Sequence, residues 1–384
     1  MRTRRGFLVT ASGAVSGVLG IAGCERPAAA GEVSFLDDVQ QPLPVPPADM
    51  PPTLLDAADR ARIGTWEEWL VERQRLRRAW LDFLGPWQTG PVDDAFRVID
   101  EETIAGCRRR RIVYHTEPDE EVEAWLLEPA APRPRQGHPG AVVFHSTTDR
   151  TIDEPAGTGP DGSGDDDPLA IGTWLCRRGF VVLCPRCHLW NTTPAHRIDT
   201  SGAVARLAQR HPGATGMRKL LHDGFRAVDI LTRIDGVDAG RLAAAGHSLG
   251  AKEALYLAAF DDRVKASVFS EGGIGIGFSN WHDPWYLGAA VREPGFPLHH
   301  AQLLALTLPR GLLILGGESG PGAADGDRSW GHVARGIEVG RLRGGRPRLG
   351  LLNHRGGHAI PAAARSRLLD WLSICADGEI GAGG

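Results

Sequence analysis

Gly246-His247-Ser248-Leu249-Gly250 places a serine between two glycines at two-residue spacing. An apolar run, Leu242-Ala243-Ala244-Ala245, precedes it, and the helix-forming stretch Ala251-Lys252-Glu253-Ala254-Leu255-Tyr256-Leu257-Ala258-Ala259 follows. In a chain with 50 glycines the pattern alone arises by chance. Strand, sharp turn and helix in that order give it meaning, because such a turn presents its central side chain in strained backbone geometry. A Cβ at either glycine position would collide with the neighbouring strand or helix. A serine hydroxyl is a poor nucleophile at neutral pH. It needs a general base within hydrogen-bond reach, and the base needs an orienting carboxylate. Candidate bases are His354 and His358 in Asn353-His354-Arg355-Gly356-Gly357-His358-Ala359-Ile360-Pro361. Candidate carboxylates are Glu271, Glu318, Asp325 and Asp327.

The elements that must position these groups read as an α/β alternation. Alternating patterns predict strands over 96–100, 107–114 and 122–127, and the apolar run 140–144 predicts a strand buried on both faces. Helices are then expected over 168–178, 215–234, 249–260, 329–341 and 361–375. Strands are expected over 180–184, 241–245, 264–269, 311–315 and 348–352, with an irregular insertion before 311. This order implies a mostly parallel central sheet with helices on both faces and antiparallel strands at the start. Apolar residues at helical spacing over 53–84, closed by Gly85-Pro86, predict an N-terminal helical extension. Its tryptophans read as packing anchors. No internal repeat is visible.

Bulk properties bound the function. The chain has 384 residues, 42% hydrophobic and 23% charged, which is ordinary for a globular protein. A formal net charge of −4 leaves no basic footprint for nucleic acid. Its basic residues are mostly scattered arginines, with Lys219, Lys252 and Lys265 as the lysines. Arg4-Arg5 before the weakly apolar stretch 7–22 resembles a twin-arginine export signal, too short for a stable membrane span. Ile21-Ala22-Gly23-Cys24 resembles a bacterial lipobox, with Cys24 as the lipidated first mature residue and simple cleavage as the alternative. The expected organisation is a signal peptide at 1–23 and a Pro-rich tether at 24–52 that either extends or lies along the domain. A helical segment at 53–92, an α/β domain at 93–377 and a tail at 378–384 follow. The expected location is exported, periplasmic or at the cell surface, held by the lipid.

These residues resemble the α/β-hydrolase superfamily, and more closely its bacterial dienelactone-hydrolase-like and acetyl-xylan-esterase-like branch. The likeness is carried by Gly246-His247-Ser248-Leu249-Gly250-Ala251-Lys252-Glu253-Ala254-Leu255 and by His145-Ser146-Thr147-Thr148 with Asp153-Glu154-Pro155-Ala156-Gly157. Ser279-Asn280-Trp281-His282-Asp283-Pro284-Trp285-Tyr286 and the stretch 303–310 add to it, over about 96–375 in all. In that fold the partners follow the serine in the order acid, then histidine. The resemblance therefore implies Ser248 as nucleophile and His358 as base, set before the last helix after two glycines, with His354 as runner-up. It implies Asp325 as the acid, after the strand 311–315, with Asp327, Glu318 and, one strand earlier, Glu271 as alternatives. One oxyanion donor is the Leu249 N–H, after the nucleophile. The second is expected from the loop after 142–144, where many hydrolases carry His-Gly and this chain carries His145-Ser146; Thr147 is the expected donor. The implied activity is carboxylic-ester hydrolysis, often on acylated sugars, with no metal and no organic cofactor. The competing readings are a peptidase of the same fold, for which the segment before Phe96 is short of an accessory domain, and a non-catalytic surface binding protein.

Trp190, Trp281, Trp285 and Trp330 fall in loops on the strand C-terminal side, where ligands bind in open α/β sheets. Trp190, Trp281 and Trp285 are expected to stack on a small-molecule or carbohydrate ester, and packing of the insertion onto the core is the competing role. Cys184-Pro185-Arg186-Cys187-His188 matches a haem-attachment pattern, but it closes an apolar strand instead of opening a ligand-bearing helix. A disulfide between Cys184 and Cys187, or buried thiols, is preferred over zinc held by Cys184, Cys187, His188 and His196. Cys107, Cys176 and Cys375 leave an odd number once Cys24 is lipidated.

Overall fold

The computed structural model describes residues 30–377 apart from Pro46, Asp49, 57–61, Ala105, 159–166 and 193–194. The expected export signal, Cys24 and the tail 378–384 lie outside the described residues. Two helices come first, α1 (Ala30–Val39) and α2 (Trp66–Leu84), then the strands β1 (Phe96–Ile104), β2 (Cys107–Glu117), β3 (Glu120–Pro129) and β4 (His138–Phe144). The alternating part follows as α3 (Ile171–Arg177), β5 (Val181–Pro185), α4 (Thr200–Arg210), α5 (Gly216–Arg233), β6 (Val237–His247) and α6 (Leu249–Phe260). It closes with β7 (Val264–Ser270), α7 (His300–Thr307), β8 (Gly311–Gly316), α8 (Trp330–Gly340), β9 (Leu349–Asn353) and α9 (Ala362–Ala376).

The strands form one 9-stranded sheet in the order β1-β2-β3-β5-β4-β6-β7-β8-β9. β1, β2, β3 and β5 pair antiparallel, and every pair from β5 to β9 is parallel. The C-terminal ends of β6, β7, β8 and β9 therefore lie side by side on one rim. Side chains alternate between the faces with period 2. Ala141, Val143, Ala243 and Ala245 face a core shared with Trp174 of α3 and Trp371 of α9. Val142, Phe144, Leu242 and Ala244 face Val228 of α5 and Leu257 of α6. Helix α6 is buried along its whole length, so its small residues let it lie close to β6 and β7.

Three helices escaped the sequence reading. α4 begins at Asp199, whose carboxylate accepts from the Gly202 N–H at 2.8 Å. α7 sits inside the stretch read as irregular, fully buried and packed between α6 and α8. α1 falls within the stretch read as a Pro-rich tether. Its Phe35, Leu36 and Val39 are buried beside α9, and the Gln40 amide donates to the carbonyls of Pro347 at 2.6 Å and Leu349 at 2.7 Å. A Cβ on Gly350 would come 2.3 Å from Val39 Cγ2, so β9 keeps a glycine where the arm presses on it. The arm thus lies along the domain, because its apolar triplet outweighs the extended preference of the prolines after it. Further on, α2 carries a capping box between Thr65 and Glu68, and its buried Trp80 donates to Gln302 Oε1 of α7 at 3.0 Å.

Truncating a fully buried leucine costs about 2–5 kcal/mol. We predict that Leu36→Ala lowers unfolding free energy by an amount in that range, read from urea melts. A loss below about 0.5 kcal/mol, the range of a surface substitution, would mean that the arm is an ornament.

Candidate active site

Ser248 occupies the turn between β6 and α6 with φ 58° and ψ −114°, left-handed backbone that a non-glycine residue adopts only when its surroundings demand it. The demand is visible at both glycines. A Cβ on Gly246 would lie 2.2 Å from the carbonyl of Gly250, and one on Gly250 would lie 2.3 Å from the Phe144 carbonyl oxygen at the end of β4. The Ser248 N–H donates to the Ser270 carbonyl at 2.8 Å, tying the turn to β7. Leu249 opens α6, so its N–H has no acceptor within the helix.

At the end of β7, Glu271 also has left-handed backbone, with φ 56°. Its carboxylate is 0% exposed and accepts from the Gly317 N–H and, at 2.7 Å, from the Ala324 N–H. One oxygen lies 3.7 Å from His358 Nδ1 and the other 3.6 Å from His354 Nε2. Burial alone would raise its pKa, but the two histidines and the two N–H donors outweigh it and pull the carboxyl down to about 2.

The two histidines differ in what remains available. His354 is 6% exposed, and its Nδ1 accepts from the Gly356 N–H at 3.2 Å while Nε2 faces Glu271 at 3.6 Å, so its ring is turned into the protein. His358 is 29% exposed and turns only Nδ1 toward Glu271, leaving Nε2 for another partner. Its ring packs against His247, the residue before Ser248, with centroids 4.5 Å apart. Burial, then the neighbouring His358, pushes the His247 pKa down to about 3, so His247 is a neutral wall.

The expected acid, Asp325, does not meet either histidine. It is buried and accepts from the Gly273 and Ile274 N–H groups at 2.8 Å each and from Ser329 Oγ at 2.7 Å. Burial raises its carboxyl to about 6 despite these bonds. Those three donors consume the carboxylate in locking the loop after β7 to the loop after β8, so Asp325 holds Glu271's loop from behind. Glu318 and Asp327 are both paired with Arg355, at 2.5 Å and 2.7 Å, on the outer rim. Of the four carboxylates considered, the structure brings Glu271 to His358.

The loop after β4 lies over α6, since Gly250 packs on the carbonyls of Phe144 and His145. Its conformation is held from two sides. Buried Glu154 accepts from the Ser146 N–H at 3.0 Å and Ser146 Oγ at 2.7 Å. His145 Nδ1 donates to the Ser146 carbonyl at 2.7 Å, and its Nε2 accepts from the Cys187 N–H at 3.0 Å. Burial lowers the His145 pKa to about 4, which keeps the neutral tautomer these bonds need. Ser146 N–H is therefore occupied, and Thr147 next to it is exposed at the rim. Glu154 and His145 lay within quoted motifs, but their bracing of Ser146 had no sequence signal.

The tryptophans expected to stack on ligand are not alike. Trp190 and Trp281 are 0% exposed, and their indole N–H groups donate to Asp149 Oδ1 at 3.2 Å and to the Gly273 carbonyl at 2.6 Å. Both pack the interior, so neither offers a face to a sugar. Trp285 is half-buried, and Trp330 is buried. Lys252, one helical turn after Ser248, donates to Ser279 Oγ at 3.0 Å and Asn280 Oδ1 at 2.8 Å and lies 5.1 Å from the centre of the Trp281 ring. It pins the insertion after β7 to α6. Cys184 and Cys187 are buried free thiols and form no disulfide, and among the described residues no grouping of three or more metal-ligating side chains occurs.

With this geometry in place, likenesses to known proteins carry weight. Residues 160–279 match the profile of the Dienelactone hydrolase family, a segment that includes Ser248 and Glu271 and stops before the histidine loop. The chain is similar to a glucuronoyl esterase from Solibacter usitatus at a TM-score of 0.67 and 17% identity, over 85% of this chain and 98% of that one. It is similar to a CE15 glucuronoyl esterase from Teredinibacter turnerae T7901 at a TM-score of 0.63 and 18% identity, over 88% of this chain and 90% of that one. A putative acetyl xylan esterase from Bacteroides fragilis NCTC 9343 gives a TM-score of 0.56 and 13% identity, over 87% and 84%. No curated protein sequence matches the chain. At such identities the shared property is the fold. The chain has the α/β-hydrolase fold and resembles its dienelactone-hydrolase and acetyl-xylan-esterase-like branch.

A carboxyl whose pKa falls on folding stabilises the protein above its unfolded value, and that contribution disappears as pH falls through the folded value. For Glu271 the window runs from 4.5 down to about 2. We predict that the stability gap between wild type and Glu271→Gln is full above pH 4.5 and shrinks on acidification through this window, read from urea melts at each pH. A gap that stays constant down to pH 2 would show that the charge of Glu271 is immaterial.

Proposed function

We propose that this α/β hydrolase is a serine esterase that cleaves carboxylic esters through an acyl-enzyme. The observation that carries the reading is the Glu271 carboxylate facing His358 Nδ1 at 3.7 Å, with the His358 ring packed on His247, the residue before a serine in a left-handed turn. Ser248 Oγ attacks the ester carbonyl while His358 Nε2 takes its proton. Glu271 holds the imidazole in the tautomer with hydrogen on Nδ1 and stabilises the imidazolium that forms. The 3.7 Å separation exceeds a direct hydrogen bond, and such contacts commonly tighten only with substrate bound. The Leu249 N–H and the Thr147 N–H receive the developing oxyanion, and Glu154 keeps the Thr147 loop in place through Ser146. His358 then protonates the leaving alcohol, and water, deprotonated by the same nitrogen, releases the acid.

Carbohydrate esters are the substrate class suggested by the structural neighbours, a glucuronoyl esterase and a putative acetyl xylan esterase among them. Half-buried Trp285 is the remaining indole of the expected contacts for such a ligand. Export and lipid attachment at Cys24 complete the proposal and rest on the N-terminal sequence alone. No described helix is long and apolar enough to cross a membrane.

Hydrolysis of an aryl acetate by purified protein tests the chemistry. Ser248→Ala should lower kcat by about 10³-fold or more, and His358→Ala by a similar factor. Glu271→Gln should lower kcat by about 10²- to 10⁴-fold. Asp325→Asn should chiefly lower the melting temperature. Equal rates for wild type and Ser248→Ala would sink the serine mechanism, and a larger kcat loss in Asp325→Asn than in Glu271→Gln would reverse the choice of acid.

A further inference from the structure

Strands β6 and β7 end on one rung of the sheet, where His247 pairs with Ser270. The next residues are Ser248 and Glu271, and both leave the sheet in left-handed backbone, with φ 58° and 56°. The serine and the carboxylate of the site therefore turn off the same rung. Side chains in register on neighbouring strands share a face of the sheet. Here they bond: His247 Nδ1 and Ser270 Oγ share a hydrogen bond of 3.0 Å, with His247 3% and Ser270 0% exposed. One repeat earlier the paired residues are Ala245 and Val268, which pack in the apolar core. Apolar side chains would thus serve the sheet at this rung too, and burying an imidazole and a hydroxyl instead costs free energy unless they are paired.

The pair is tied to both sides of the site. The Ser270 carbonyl accepts from the Ser248 N–H at 2.8 Å, so Ser270 holds the elbow by its backbone and the ring before the elbow by its hydroxyl. The His247 ring in turn lies against the His358 ring, with centroids 4.5 Å apart and planes at 55°. His358 needs such a neighbour. Glu271 stands 3.7 Å from its Nδ1, and among the described residues that nitrogen has no hydrogen-bond partner. An imidazole without a short bond keeps its rotamer only where packing restricts it. Gly322 abuts the root of the side chain, where a Cβ would come 3.3 Å from Cβ and Cγ of His358, and His247 meets the ring itself. Burial keeps His247 neutral, so it does not repel an imidazolium forming on His358.

We propose that His247 and Ser270 are positioning residues of the esterase site: Ser270 anchors the His247 ring, and that ring holds the His358 imidazole between Glu271 and Ser248. The proposal rests on the serine-esterase reading and adds a pair that acts only through His358.

Steady-state hydrolysis of an aryl acetate by the full chain tests it, with thermal melts to identify the folded variants. His247→Ala, which removes the ring, should lower kcat about tenfold or more while KM stays within about twofold. His247→Phe restores a ring without the anchor, and its kcat should exceed that of His247→Ala by about threefold or more. Ser270→Ala removes the anchor alone and should lower kcat about threefold or more at the same KM. A packing role by itself would lower the melting temperature and leave kcat of the folded protein in place. Wild-type kcat in both His247→Ala and Ser270→Ala would therefore overturn the proposal, and so would equal kcat in His247→Ala and His247→Phe. Should His247→Ala not fold, Ser270→Ala decides by the same criterion. Equal turnover by wild type and Ser248→Ala would overturn the esterase reading instead. NMR of protein isotope-labelled at histidine Cε1 then still tests the positioning, with His358 identified by the signal lost in His358→Ala. A single His358 signal in wild type that broadens or splits in Ser270→Ala supports it, and identical line shapes in the two proteins overturn it.

Discussion

A buried carboxylate with two imidazoles and two backbone donors around it is the point on which the rim of the sheet depends. Glu271 leaves β7 in left-handed backbone, receives the N–H groups of Gly317 and Ala324 from the loop after β8, and faces His354 and His358 from the loop after β9. Three consecutive loops of a parallel sheet are thereby referred to one charge. An ionised carboxylate at that depth is tolerable only with several donors aimed at it. Loss of any of them would raise its pKa and slacken the others.

The rest of the rim braces this arrangement. Asp325 ties the backbone just after Glu271 to the far end of its own loop. The elbow is fixed by Gly246 and Gly250, where backbone takes the space of a side chain, and by the Ser248 N–H on β7. On the other side of α6, Glu154 and His145 occupy both backbone groups of Ser146 and so hold the loop that arches over the helix start. Preorganisation of this kind places donors before charge develops, which the proposed acyl transfer requires.

The outer parts of the chain have been drawn into the same assembly. Lys252 joins the insertion after β7 to α6, and buried Trp281 stiffens it. The arm crosses β9 and α8. The described part of the segment before the sheet is therefore packed on the domain.

Much of the fold was legible in the chain itself, for a local reason. Strands such as 140–144 and 311–315 are short apolar runs, the helix 249–260 follows directly from an elbow, and alternation of the two types admits few arrangements other than a mostly parallel sheet. The elbow turn at Ser248 and the histidine loop were legible likewise, since each is marked by glycines at the turn it occupies. Which carboxylate faces His358 was not legible. Glu271, Glu318, Asp325 and Asp327 are alike as residue types, and the choice rests on the strand end each follows, its backbone φ and the donors across the rim. The tryptophans show the same limit, because an indole reads alike whether it meets solvent or, as at Trp190 and Trp281, spends its N–H inside the core. Local patterning determines where chain elements begin and end. Long-range packing decides which polar groups are left facing one another, and that decision exists only once the sheet has brought separate loops to one edge.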